Sequence, residues 1–470
     1  MSLMQKDWQI WHWLSFCLPC TSLFFLSFSR FSPTMQITDC PQILSGPFLA
    51  ISDPLKGFTD TYGKRINLPQ SFGTHADQLS SFDWFLNHGW KDTAFEGTVI
   101  RCPLRSIASK ISAKIVCADE ISELFHDFIK EELDISLLFL QNVTSIEVYE
   151  VDEQAKSTCI ATSTISRSAS SAYGDGSKTY KSIISSQGKQ NERVWRLLHC
   201  PFSQEEAVVH LAKQQINNPS STLKEHKLIP NVSLAIPLSI ATQVETGGRL
   251  FTFLPLPLKT GFPVHIHALF ALTQSRQNLR NSGETGIVSQ ADDQYVFVYL
   301  PHIISLNHML LLCSVIIEWN KLLFDEFIPR AWRFLLEVLI QADGIIDIFR
   351  AWPNKQPIAL SGDTVYWRSL PTRLLHFVVS SQSPVWPLYP LHKHSPMEYK
   401  ALDQLMTSQP AVQESVLRSL AIMGLELTQP PAHLVDEIKT LADPRYVILT
   451  PEAAHVALIV NTTAPHPICC

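Results

Sequence analysis

The stretch Gly97–Arg105 reads GTVIRCPLR: a glycine and a threonine open a β-run, Arg101 sits inside it, and Arg105 comes two residues after Pro103. His265 and His267 lie two apart in PVHIHALF, so a strand would place both on one side. Two histidines at that spacing can hold zinc, but catalysis needs a third ligand and an open position. The plainer reading is a pair of polar-facing residues on a sheet. Cys17 and Cys20 form a CxxC with neither a second pair nor a thioredoxin-like unit after it. His392–Lys393–His394 lies among prolines and reads as loop. Cys469–Cys470 ends the chain without a CaaX pattern. Gly174–Lys178 has the ingredients of a phosphate loop but not its spacing, and no Gly-x-Ser-x-Gly elbow recommends a serine hydrolase.

The 470 residues suffice for two to four domains, and 46% hydrophobic with 17% charged residues is ordinary for a globular chain. Thirty prolines against 17 glycines point to loops and extended connections rather than one long bundle. The net charge of −6 comes without a dense Lys/Arg stripe, which disfavours nucleic acid as a partner. The ten cysteines are scattered, and Cys102, Cys117 and Cys313 sit in apolar runs as small core residues. A disulfide scaffold is therefore not expected. Sequons at Asn142, Asn231 and Asn461 matter only in a secreted chain.

Residues 1–35 read as an unmatched hydrophobic leader. Leu14–Phe28 is apolar but broken by Pro19, short for a membrane span of about 20 residues, and without a basic n-region or cleavage site. A mis-joined exon is the leading expectation, and a membrane anchor over 8–32 the second. Free cysteines without a convincing signal point to the cytoplasm.

Periodicity supplies the elements. Pro47–Ser52 and Val99–Leu104 read as strands, with Asp53–Pro54 a turn-forming pair, and Phe82–Trp90 as helix. In Asp119–Leu133, residues Ile121, Leu124, Phe125, Phe128 and Ile129 follow the spacing of one buried helix face. Leu137–Val151 reads as one strand or a strand pair, and Ser163–Gly188 as a loop or hairpin connection. Glu205–Gln215 is helical; Ser233–Ile240 and Arg249–Leu254 are strands joined by a Gly247–Gly248 turn, and Pro263–Leu272 is a third. Helices follow over His308–Phe324, Ala331–Ile340, Glu414–Met423 and His433–Leu441. The Pro- and Trp-rich stretch 352–396 either presents aromatics to partners or buries them against the C-terminal helices.

Four segments in order carry a resemblance: Thr38–Pro54 (TDCPQILSGPFLAISDP), Gly97–Arg105, Leu137–Val151 (LLFLQNVTSIEVYEV) and Leu254–Leu279 (LPLPLKTGFPVHIHALFALTQSRQNL). Trp319–Leu323 (WNKLL) is a weaker fifth. Together they resemble the sacsin and No Vein proteins over roughly residues 36–340. That resemblance implies an α/β chain: the C-terminal part of a GHKL-type ATPase sandwich (36–135), an α/β middle domain (136–340) and a mostly helical C-terminal segment (341–470). It implies ATP and magnesium in complete members. Of the superfamily's four nucleotide boxes only the last is matched, by Gly97 and Thr98, so no cofactor is expected of this chain. Arg276 is the candidate phosphate contact, although Gln277 stands where a second arginine is usual. The expected function is chaperone-related binding or scaffolding of other proteins. The alternative is a fragment of a larger ATP-dependent chaperone ATPase.

Overall fold

The computed structural model describes residues 35–463 except 36, 69–78, 80–81, 83–94, 153–155, 168–176, 187, 215–218, 226, 239–246, 274–277, 281–314, 316–317, 344–346, 354–366 and 391–396. Asp83–Trp90, Cys17, Cys20, Gly174, Arg276, Cys313, His392, His394, Cys469 and Cys470 thus lie outside the described residues. The chain is α/β, and it divides into two compact units: residues 1–167 with 181–193, and residues 168–180 with 194–470.

In the first unit, β1 (Gln42–Gly46) and β2 (Phe48–Ser52) form a tight hairpin, its turn allowed by Gly46 at φ +54°. β3 (Gly63–Asn67) and β4 (Phe95–Arg101) complete an antiparallel sheet in the order β3-β2-β1-β4. Alternation sends Leu44, Leu49, Ile51, Ile66 and Val99 to one face, where they bury with Leu79 and Phe82. Helix α1 (Ala118–Glu131) starts where the Glu120 carboxylate accepts the Cys117 N–H at 3.0 Å. Cys117 itself is exposed at this helix start rather than part of a core. The apolar stripe of α1 forms as expected but is not buried as expected. Only Ile121 is buried, and Leu124 is 61% exposed.

The strand expected over Leu137–Val151 shortens to β5 (Ser145–Val151), because Leu133–Phe139 folds into consecutive turns whose leucines enter a core. β5 pairs antiparallel with β6 (Ser157–Arg167). The serine-rich stretch is a hairpin rather than a loop: β6 is followed by β7 (Ser177–Ser186), and Gly188 at φ +74° leads into β8 (Lys189–Cys200). Ser177 and Lys178 enter a strand, which removes any phosphate-loop reading that needs a helix there.

In the second unit the strand order is β11-β10-β12-β9-β8, with β9 Val232–Pro237, β10 Arg249–Thr252, β11 Leu254–Lys259 and β12 His265–Ala268. β9 and β10 are not joined as a hairpin; β12 lies between them, antiparallel to β9 and parallel to β10. Gly248 instead serves close approach, since a Cβ there would meet the Val264 carbonyl at 2.0 Å. Leu198, Leu234, Leu250 and Ile266 face helices α2 (Gln204–Lys213) and α4 (Ile328–Asp343) in the main core. A short α3 (Pro219–Glu225) follows α2, and a π-helical turn, Leu323–Phe327, leads into α4.

Trp319 and Asn320 explain the WNKLL segment. Trp319 Nε1 donates to the Leu269 carbonyl at 2.8 Å. Asn320, fully buried, accepts the Ala271 N–H and donates to the carbonyls of Ala271 and Arg280. This closes the base of the loop that follows β12.

The tryptophans of the Pro/Trp stretch are buried rather than presented. Trp352, Trp367 and Trp386 join the main core with α5 (Leu370–Ser380). The C-terminal part is less purely helical than expected. After the two-residue pair β13 (Trp386–Pro387) and β14 (Tyr399–Lys400), three parallel strands alternate with helices: β15 (Met406–Thr407), α6 (Glu414–Ile422), β16 (Leu427–Thr428), α7 (Ala432–Thr440), β17 (Val447–Ile448), α8 (Pro451–Thr463). The order β16-β15-β17 makes this a small wound α/β element.

Candidate functional site

The Gly-Thr segment lies on β4, held against β1 with Thr98 opposite Ser45 and Arg101 opposite Gln42. Gly97 lets the Phe95 ring fold back over the strand, since a Cβ at 97 would meet that ring at 3.0 Å. The Thr98 hydroxyl is shared with the Ser45 hydroxyl at 2.9 Å. Further along the same strand pair, Arg101 Nη1 donates to Gln42 Oε1 at 2.8 Å, and both side chains are buried. Burial drives the pKa of the Arg101 guanidinium down to about 10.

Arg105 is the centre of the segment's polar chemistry. It is 5% exposed. Its Nε and Nη2 donate to Asp39 Oδ1 at 2.8 and 2.5 Å, Nη1 to the Lys114 carbonyl at 2.8 Å and Nη2 to the Met35 carbonyl at 2.8 Å. Ser109 Oγ adds a third donor to Asp39 at 2.8 Å. Burial works to raise the Asp39 pKa, but the bonds from Arg105 and Ser109 outweigh it and hold the carboxyl below the usual range. The guanidinium therefore ties three separated pieces of chain together and satisfies its own donors in doing so.

A second carboxylate, this one buried, organises the β2–β3 connection. Asp53 Oδ1 accepts the Gly57 N–H at 3.0 Å, and Oδ2 accepts those of Phe58 and Thr59 at 2.7 Å each. Here too burial raises the pKa and the backbone donors more than reverse it, leaving the carboxyl low. The sequence marked Asp53 as part of a turn; the cue for its deeper role is the Asp-Pro-x-x-Gly spacing that brings later N–H groups back to the carboxylate.

Of the expected site residues, Gly97 and Thr98 sit together in the sheet, and Arg276 lies outside the described residues. On either side of the undescribed residues 274–277, the Thr273 N–H donates to the Asn278 carbonyl at 3.0 Å and Leu272 bridges to Leu279. His265 and His267 share a sheet face but are engaged separately. Buried His265 accepts the Arg249 N–H on Nδ1 at 3.1 Å and packs against Trp195 and Phe251, while His267 Nδ1 lies 3.2 Å from the Phe251 carbonyl. Among the described residues, no cluster of three His, Cys, Asp or Glu side chains is placed to hold a metal ion. No described helix is long and apolar enough to cross a membrane. The Asp39–Arg105 pairing, 66 residues apart, is the site feature that motif reading missed, because only the topology of β1 and β4 brings the two together.

Fold and site thus define an α/β protein whose N-terminal unit is an antiparallel sheet locked by an Asp–Arg node, with its Gly-Thr strand paired inward. Residues 31–162 match the family model described as Sacsin domain. The chain is also 27% identical over 291 residues to Sacsin from Homo sapiens, an alignment that covers 53% of this chain and 6% of that protein. Both matches support the sacsin family as the one this chain resembles.

Proposed function

We propose that the chain is a chaperone-related protein of the sacsin type, derived from a GHKL-type ATPase lobe, that acts by binding or scaffolding other proteins and does not itself turn over ATP. The observation that carries this reading is the fate of the Gly-Thr segment. Thr98 commits its hydroxyl to Ser45, Arg101 bonds to Gln42, and Arg105 serves Asp39, Lys114 and Met35. Thr98 is the one residue of this strand that the family resemblance assigns to the nucleotide, and its hydroxyl, like both arginines, contributes to holding the lobe together.

Steady-state ATP hydrolysis by the purified full chain tests the reading. A rate at buffer background, unchanged by Thr98→Val, is expected. A rate clearly above background that collapses with Thr98→Val would overturn it.

A further inference from the structure

The chain between β2 and β3 closes on itself: the Asp53 N–H donates to the Tyr62 carbonyl at 2.9 Å, so residues 53–62 form a compact loop with adjoining ends. Its interior is fixed by the Asp53 carboxylate, which grips three successive backbone N–H groups, and by Thr59 Oγ1 donating to the Thr61 carbonyl at 2.5 Å. Lys56 is held in the left-handed region at φ +54°. What this rigid frame presents outward is apolar: Phe58 is 78% exposed, Tyr62 70% and Leu55 39%. A lone exposed aromatic is ordinary. Two on one pinned loop are different, because their position is fixed before any partner arrives, which removes much of the ordering cost of binding.

The charges beside them are mostly positive. The Lys56 ammonium lies 4.3 Å from the Tyr62 ring centre, and the Arg65 guanidinium 3.5 Å from that of Phe48. Lys64 is also exposed, and Asp60 is the single exposed acid between positions 54 and 65. On a chain of net charge −6 this is a local excess of positive charge around exposed aromatics.

We propose that the 53–62 loop is a docking surface for an acidic protein segment that carries apolar side chains. Phe58 and Tyr62 act as the anchors, Lys56, Lys64 and Arg65 select the charge, and the Asp53 carboxylate keeps the loop ready. This rests on the protein-binding reading above and names the surface that performs it.

The test uses the full chain and fluorescence anisotropy with a short labelled peptide of alternating glutamate and leucine, beside a lysine–leucine peptide and vesicles of phosphatidylcholine with phosphatidylserine. Binding of the acidic peptide alone is expected, weakening several-fold on going from low to physiological salt. Phe58→Ser combined with Tyr62→Ser should weaken it roughly tenfold or more, and Lys56→Glu combined with Lys64→Glu should abolish it. All four side chains are exposed, so the melting temperature should barely move. Asp53→Asn keeps both aromatics but frees the loop, and should weaken binding several-fold. No binding of the acidic peptide, or preferential binding to the vesicles, overturns the proposal. Peptide binding indifferent to Phe58 and Tyr62 overturns the loop assignment while leaving the protein-binding reading intact.

Discussion

Arg105 shows how much a single side chain holds here. It joins Asp39, Met35 and Lys114 while almost fully buried, so removing it leaves a carboxylate without its main partner and two carbonyls without their donors. Asp39 is only partly buried, so the loss is smaller than for a fully buried pair and amounts to about 1–3 kcal/mol. Arg105→Ala should therefore lower the melting temperature of the first unit, while Arg105→Lys recovers little, because an ammonium cannot reproduce the fork. An equal melt for wild type and Arg105→Ala would refute the node's role. Asp39 and Asp53 also set an acid limit. Both folded-state pKa values lie below the ordinary carboxylate value of 3.8, so their stabilisation is fully present above about pH 4 and is lost as pH falls through the folded values. Near-ultraviolet circular dichroism between pH 5 and 2 should follow that loss, and Asp53→Asn should flatten the slope. At this scale the sequence showed the right residues without their partners. GTVIRCPLR announces its arginines, but nothing local says that one bonds to Gln42 and the other to Asp39.

At the scale of elements, length alone did not decide legibility: the 9-residue α6 and α7 were read, while the longer α5 and α8 were not. α1, α2, α4, α6 and α7 were readable because each repeats its apolar positions over two turns or more. β15, β16 and β17 are two residues long and carry no period to detect. β6 and β7 were obscured by serine and threonine, whose β character depends on the neighbours they pack against. The burial of an amphipathic face is likewise a tertiary fact, and the open stripe of α1 shows that periodicity alone does not guarantee it. Gly248 gives the sharpest element-level prediction. A methyl group there would lie 2.0 Å from the Val264 oxygen, and backbone cannot yield as a flexible side chain can. Gly248→Ala should cost about 3 kcal/mol, read as a lowered denaturant midpoint with an unchanged slope.

At the scale of the whole molecule, each compact unit carries pH-sensitive groups of its own, Asp39 and Asp53 in the first and His199 and His267 in the second. The second unit carries a histidine window. Burial is the main cause lowering the pKa of both His199 and His267, so these groups favour the folded state when neutral. Their contribution is complete above the unfolded value of about 6.5 and declines as pH falls from there toward the folded values. His199→Gln with His267→Gln should remove that slope, measured as melting temperature between pH 7 and 5. Asn320 governs the same unit, since its amide satisfies three backbone groups at the exit of β12. Asn320→Ala should destabilise it by about 2–4 kcal/mol, seen as a lowered melting temperature. The chain spans about 6% of the length of the curated relative it matches, so what the whole relative does reaches this chain only as a proposal. What we propose is narrower: that the Gly-Thr strand serves the lobe's own hydrogen bonds and not a nucleotide. Isothermal titration calorimetry of the full chain with magnesium ATP tests it most directly. The account predicts no saturable heat at millimolar nucleotide, and a saturable isotherm with a micromolar dissociation constant, lost on Thr98→Val, would contradict it.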